Sequence, residues 1–170
     1  SRPPPFARVV APMRYAYPVD AAIRAFKFRY VESRLPSLSA LMLLGIPHLP
    51  TGIDAVVAMP MHWRRRVERG FNQAALLAAP LARELGVPML TGVSKTRHTR
   101  PQSSLSVRER RRNLAGAFAC ARSVDARHVL IVDDVLTSGQ SAGHLTHALR
   151  AAGAQAVSVL VIARASQVRV

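Results

Sequence analysis

The residues best suited to chemistry lie in one short stretch, VLIVDDVLTSGQS at positions 129–141. Its apolar start predicts a buried strand, and two adjacent carboxylates, Asp133 and Asp134, follow where that strand is expected to leave the sheet. Because side chains alternate along a regular strand, both carboxylates can meet one ligand only if the chain turns there. Ionised carboxylates accept hydrogen bonds and donate none, which suits a vicinal diol such as that of a ribose.

The residues after the carboxylates are typical of a phosphate site. They supply hydroxyl groups, a glycine that can take a positive φ, and the first amides of a predicted helix, which together favour an anion. A capped helix without a ligand would explain the hydroxyls and the glycine but not the two carboxylates. A ribose 5-phosphate site is therefore predicted. Its residues are Asp133, Asp134, Val135, Leu136, Thr137, Ser138, Gly139, Gln140 and Ser141.

This stretch resembles the signature of the type I phosphoribosyltransferases, in which apolar residues precede two acids and a Thr-Thr-Gly-x-Thr run. Ser138 and Ser141 stand where threonine is commoner, so both hydroxyls are kept. The resemblance covers about residues 53–164 and narrows to the competence protein F (ComF/GntX-like) branch. The residues that carry this assignment are Ala58-Met59-Pro60-Met61, Arg69-Gly70-Phe71-Asn72-Gln73, Gln102, Leu105, Arg108, Arg111 or Arg112, Asn113 and Gly116-Ala117-Phe118. Members of this branch usually carry an N-terminal zinc ribbon with paired cysteines, whereas these 170 residues contain one cysteine.

The resemblance implies an α/β fold of the type I phosphoribosyltransferase kind, with a mostly parallel core sheet, helices on both faces and a small hood. It also implies phosphoribosyl pyrophosphate as the donor, with Mg²⁺ bound through the donor and water rather than directly by protein ligands. Arg69 would join Asp133 and Asp134 as the catalytic residues. In this superfamily the loop after the first core strand binds pyrophosphate, which implies a site made of Met59, Pro60, Met61, His62 and Arg69.

Residues 94–114 are polar and rich in arginine, and they correspond to the mobile loop that closes over the active site in this superfamily. The residues expected to reach the pyrophosphate are Arg97, Arg100, Gln102 and Arg108. The run RERRR at 108–112 fits a nucleic-acid contact or a plain exposed turn equally well.

A second basic run, Arg64 to Arg66, follows the expected pyrophosphate loop. For any one of these arginines a solvated basic turn is the favoured interpretation. The neighbouring Trp63 is expected to be a half-buried packing residue, with stacking on a base as the alternative.

The elements that must position these residues follow from the apolar periodicity. Strands are predicted at 53–59, 87–90, 115–120, 128–132 and 156–163, and helices at 19–30, 38–44, 71–85 and 139–152. Strands alternating with helices favour a parallel sheet whose site lies beyond the carboxyl ends of its strands. One domain is expected over 1–170, with an arm and hood over 1–50 and a core over 51–170.

Composition adds a charge argument. The net charge is +15, and the 24 basic residues include only two lysines, Lys27 and Lys95, so 22 are arginine. An arginine-biased genome explains that ratio, but the net charge favours a polyanionic partner, either phosphates or nucleic acid.

The single Cys120 favours a reducing, cytoplasmic setting, and no apolar run is long enough to span a membrane.

The sequence therefore favours two possible functions. The first is a phosphoribosyltransferase that binds phosphoribosyl pyrophosphate with Mg²⁺ and transfers the phosphoribosyl group to an unidentified base or amine. The alternative is a non-catalytic module that binds the donor and holds single-stranded DNA on an arginine-rich surface, in competence or DNA uptake. The hood contains the least motif content, so the acceptor is not assigned.

Overall fold

The computed structural model describes residues 4–29, 32–96 and 117–165. The expected loop residues Arg97, Arg100, Gln102 and Arg108, and the rest of the RERRR run, lie outside these ranges. Within the ranges no helix is long and apolar enough to cross a membrane.

Seven strands and five helices form in the described residues. The strands are β1 (Arg8–Val10), β2 (Met13–Arg14), β3 (Ala55–Ala58), β4 (Val93–Lys95), β5 (Phe118–Cys120), β6 (His128–Leu136) and β7 (Ala156–Arg164). The helices are α1 (Val19–Arg29), α2 (Leu35–Leu43), α3 (Trp63–Arg69), α4 (Gln73–Leu85) and α5 (Gln140–Ala151). Short 3-10 turns lie at Glu32–Arg34 and Ile46–His48.

The core is a parallel sheet in the order β1-β7-β6-β3, with β2 also paired to β7. Apolar residues of β6 alternate between two buried clusters, as strands covered on both faces do. Val129 and Ile131 pack with α5, whereas Leu130 and Val132 pack with α4 and the hood helices. The predicted α/β fold, with a mostly parallel sheet and helices on both faces, is confirmed.

The hood is anchored to the sheet by apolar side chains. On α1, Ile23 and Phe26 are fully buried, as are Leu38 and Met42 on α2. The Phe26 ring contacts the ring of Phe71 just before α4, with centroids 5.7 Å apart. The expected arm contributes to the sheet itself, because β1 and β2 lie along β7. The hood is therefore held over one face of the core.

The expectation that the chain turns at the two carboxylates is wrong. Strand β6 continues through them to Leu136, since the equally long β7 offers partners, with Asp133 opposite Val161 and Val135 opposite Ala163. Residues 87–90 form only an isolated bridge, from Met89 to Val56, because Pro88 has no amide to donate.

The basic run after β3 also differs from expectation. It is helix α3 rather than a turn, and it has a cap at each end. The His62 imidazole accepts from the Arg64 amide at the start, and Gly70 takes a left-handed conformation, φ +81°, at the end. A helix that is defined by its caps and has no buried face cannot be predicted from apolar periodicity.

Candidate functional site

A cavity of about 410 Å³ opens at the carboxyl ends of β3 and β6. The structure brings both predicted groups of site residues to its wall. They are Met59, Pro60, Met61, His62 and Arg69 after β3, and Asp133, Asp134, Val135, Leu136, Thr137, Ser138, Gly139, Gln140 and Ser141 from β6 to α5. Parallel strands end at the same edge of a sheet, which is why stretches distant in sequence meet here.

Asp134 is the buried member of the carboxylate pair, with 3% of its surface exposed. Its side chain is on the hood side of the sheet, where Lys27 of α1 donates a hydrogen bond to Oδ1 over 3.3 Å. The Lys27 Nζ also lies 3.0 Å from Oδ2 as an ion pair. Apart from this ion pair, Oδ2 has no hydrogen-bond donor within the described ranges. One ammonium group therefore offsets the charge of Asp134 and leaves an oxygen able to accept.

Asp133 is on the opposite side of β6, because neighbouring strand residues alternate. Its Oδ1 accepts from the Asp134 amide over 2.9 Å. Burial, and next the negative charge of Asp134, raise the pKa of Asp133 to about 7, against the opposing effects of that amide and of Lys27. Both carboxylates line the cavity although they leave the strand on opposite sides.

Both lysines of the chain, Lys27 and Lys95, line this cavity, and sequence analysis assigned neither of them a role. Lys95 ends β4, and its pKa is lowered by burial and by the nearby Arg65. The compact ammonium of lysine, on its flexible stem, fits beside a buried carboxylate more easily than the larger, planar guanidinium of arginine. The sequence feature that could have singled out these two lysines is their rarity among the 24 basic residues.

The segment Arg69-Gly70-Phe71-Asn72-Gln73 holds the loop after β3 in place. Asn72 caps α4 by accepting from the Ala74 amide over 3.1 Å, and its Nδ2 donates to the Met59 carbonyl over 3.2 Å. Arg69 donates to Gln73 Oε1 over 2.8 Å, which fixes the arginine at the cavity wall. Asn72 and Gln73 thus position the loop and Arg69.

The predicted phosphate site is the turn between β6 and α5. Gly139 has φ +72° and precedes the first residue of α5, where an L side chain would be strained. Ser138 Oγ accepts from the Gln140 amide over 3.5 Å. The amino end of this 12-residue helix, with exposed hydroxyls at Thr137 and Ser141 beside it, suits a phosphate group.

Comparison with known proteins identifies the family. A family model, the phosphoribosyl transferase domain, matches residues 72–169. The chain belongs to the phosphoribosyl transferase domain family. Relatives include the DNA utilization protein YhgH of Escherichia coli strain K12, 39% identical over 169 residues, which are 96% of this chain and 74% of the relative. The Competence protein F of Haemophilus influenzae is 33% identical over 171 residues, 95% and 75% of the two chains. The predicted branch is confirmed.

Two solved structures are also similar to this phosphoribosyltransferase-type domain. One is a glutamine phosphoribosylpyrophosphate amidotransferase from B. subtilis complexed with ADP and GMP, with a TM-score of 0.49 and 22% identity over 74% of this chain. The other is described as the allosteric regulatory enzyme of purine biosynthesis, with a TM-score of 0.48 and 21% identity over 75% of this chain. This chain spans 25% of the length of each.

The first test concerns the Lys27–Asp134 ion pair. Lys27→Met should lower the free energy of unfolding by roughly 3 kcal/mol, the low end of the cost of removing one partner of a buried ion pair, because Lys27 is itself partly exposed. The matched control, Arg24→Met, lies on the same helix and removes a more exposed pair with Asp20. It should cost about 0.2–1 kcal/mol. Urea unfolding followed by circular dichroism measures both, and equal losses would contradict the role given to Lys27.

The second test concerns the raised pKa of Asp133. The folded state binds the proton of the Asp133 carboxyl group more tightly than the unfolded state does. The stability that this protonation contributes is therefore lost as the pH rises from about 4 to about 7. Asp133→Asn, which stays neutral, should gain in free energy of unfolding over the parent across that range and then level off. Asp125→Asn, which removes a carboxylate at an exposed loop position, is the matched control. A difference for Asp133→Asn that is flat between pH 4 and pH 7, or no larger than that of the control, would contradict the raised pKa.

Proposed function

We propose that this protein binds phosphoribosyl pyrophosphate together with Mg²⁺ and transfers the phosphoribosyl group to a nucleobase or amine. One observation carries the proposal: a carboxylate pair, a glycine-led helix start and an arginine-bearing loop line the same cavity. Membership of the phosphoribosyl transferase domain family supports the same class of donor.

The donor fits the cavity in three parts. Asp133 and Asp134 accept from the ribose hydroxyls, and the turn over residues 137–141 takes the 5-phosphate. The pyrophosphate then points toward the loop after β3, where Arg69 lies at the wall. In the transfer, the acceptor nitrogen forms a bond to C1 as the bond from C1 to pyrophosphate oxygen breaks. The electron pair leaves with pyrophosphate, whose growing charge is stabilised by the fixed cations, and the N–H proton of the acceptor passes to water.

The carboxylate pair also fits a Mg²⁺ ion that is delivered with the donor. The two aspartates face one ion-paired ammonium, and apart from that ammonium Asp134 Oδ2 has no hydrogen-bond donor among the described residues. The described residues contain no group of three or more histidine, cysteine, aspartate or glutamate side chains able to hold a metal ion. Asp133 and Asp134 would therefore hold the ion through water while donor oxygens complete its shell. When bound, Mg²⁺ offsets charge on the leaving pyrophosphate.

A DNA-linked role is the second candidate. The relatives named DNA utilization protein and Competence protein F favour it, and so does an exposed basic helix beside the cavity. In this second candidate function the donor site binds phosphoribosyl pyrophosphate without turnover, and the arginine surface holds single-stranded nucleic acid. Arg108 to Arg112, predicted for that contact, fall outside the described ranges, so this assignment stays a prediction.

The test of donor binding is thermal. Phosphoribosyl pyrophosphate with Mg²⁺ should raise the melting temperature, because a ligand at about 100 times its Kd adds about 2.7 kcal/mol to the folded state. The double variant Asp133→Asn with Asp134→Asn should abolish the shift, since amide donors replace diol acceptors at nearly constant volume. Circular dichroism checks that the variant is folded. A folded variant with the parent's shift contradicts the ribose assignment.

A screen for pyrophosphate release then separates the two functions. Purines, pyrimidines and simple amines are supplied in turn with the donor and Mg²⁺. Release that depends on one acceptor supports transfer. A thermal shift with no release above the rate without acceptor supports the binding module instead.

A further inference from the structure

Helix α3 presents an apolar pair to solvent. Trp63 and Val67 are one turn apart, with 62% and 75% of their surfaces exposed. Of the four exposed large apolar side chains found in the described residues, two therefore lie on this seven-residue helix. Trp63 was expected to be half buried, and the helix instead leaves its ring open. Exposed apolar side chains that cluster within a charged surface mark interaction sites.

Arginines surround the apolar pair. Arg64, Arg65 and Arg66 are exposed, and within the described residues none of them forms an ion pair with a carboxylate. The helix carries four arginines and one glutamate, Glu68, so its net charge is +3 by difference. The partner of this surface must therefore be anionic.

The indole ring of Trp63 contacts two neighbouring side chains and is still 62% exposed. Arg64 Cζ lies 5.4 Å from the ring centroid, in the range of a cation–π contact. The imidazole of His62 is tilted against the ring, with centroids 5.8 Å apart and planes at 33°. His62 is buried and caps the helix, so it is a fixed neighbour. An aromatic face that is exposed yet held in place loses little conformational freedom when a flat ligand stacks on it.

We propose that α3 is a contact surface for single-stranded nucleic acid, in which an unpaired base stacks on Trp63 and adjacent phosphates bind Arg64 and Arg66. The inference rests on the nucleic-acid part of the proposed function and not on donor binding. A single strand offers both a free base face and a chain of negative charges, whereas a duplex hides its base faces. A second copy of this chain is a poor occupant because each copy carries a net charge of +15.

The surface borders the donor cavity without being part of it. Arg65 lines the cavity wall, whereas Trp63, Arg64 and Arg66 are absent from the described residues of that wall. A strand on α3 would therefore pass beside the cavity while using different side chains from the donor. Nucleic-acid binding and donor binding can thus be lost separately.

Trp63 is the only tryptophan in the chain, so intrinsic fluorescence reports on this one position. The protein is titrated with oligothymidylate, oligouridylate and a DNA duplex of equal length. The single strands should quench the emission more strongly and at lower concentration than the duplex. Each phosphate neutralised contributes about −0.7 to the slope of log affinity against log salt, so two contacts give about −1.4. The thymidylate and uridylate arms distinguish DNA from RNA as the source of the strand.

Matched variants test the residues, with binding followed by anisotropy of a labelled oligonucleotide. Trp63→Ala should weaken binding roughly 5- to 150-fold, the range measured for loss of one base stack, while Trp63→Phe keeps most of the affinity. Arg64→Gln with Arg66→Gln should bring the salt slope about 1.4 closer to zero. The control, Arg83→Gln with Arg150→Gln, removes equal charge at exposed positions near the far ends of α4 and α5 and should leave the slope unchanged.

Each contrary outcome is informative. Oligonucleotide binding that is unchanged by Trp63→Ala and by the α3 arginine variant overturns the assignment to α3 but leaves the nucleic-acid role standing. No binding of any oligonucleotide overturns both, and the thermal shift with phosphoribosyl pyrophosphate is unaffected by that result. A blue shift of Trp63 emission that grows with protein concentration alone would overturn the proposal in favour of a contact between copies of this chain.

Discussion

The cavity depends on the ion pair between Lys27 of the hood and Asp134 of the central strand β6. A carboxylate taken out of water costs several kcal/mol unless a cation meets it. In this protein the cation comes from a helix that is anchored by the apolar residues beside it. Phe26, next to Lys27 in sequence, is fully buried against the sheet and contacts Phe71. Apolar packing of α1 thus places the Lys27 ammonium against the Asp134 carboxylate, and this pair joins the hood to the core at the cavity wall.

This arrangement produces a charge pattern that matches the proposed donor. The amino end of α5 is positive, the carboxylate pair is negative, and the wall after β3 carries Arg65 and Arg69. A ribose with a phosphate at one end and a pyrophosphate at the other has the complementary order of charges and hydroxyl donors. The raised pKa of Asp133 follows first from its burial and then from the adjacent charge of Asp134, which one ammonium group does not fully offset.

Much of the fold and most of the cavity wall could be predicted from the sequence, because local patterns determine them. Apolar runs gave β6 and β7, and adjacent acids followed by a glycine located residues 133–141. What could not be predicted depends on contacts between distant residues. Lys27 and Asp134 are 107 positions apart, and nothing near Lys27 in sequence indicates that its ammonium meets a carboxylate. The continuation of β6 through the acids likewise required the length of its partner strand.

Helix α3 shows a different limit. Its residues lack apolar periodicity, so the caps at His62 and Gly70, rather than a buried face, make it a helix. A helix without a buried face leaves its aromatic residue in solvent, which is why Trp63 is exposed instead of half buried. The roles expected for Arg97, Arg100, Gln102 and Arg108 lie outside the described ranges and remain predictions.

The most direct test of donor binding in this cavity is a crystal structure with phosphoribosyl pyrophosphate and Mg²⁺. We expect the ribose hydroxyls within hydrogen-bond distance of Asp133 and Asp134, at about 2.5–3.0 Å. We also expect the 5-phosphate against residues 137–141 and the pyrophosphate toward Arg69. A donor bound with its ribose turned away from β6, or bound outside this cavity, would contradict the proposed function.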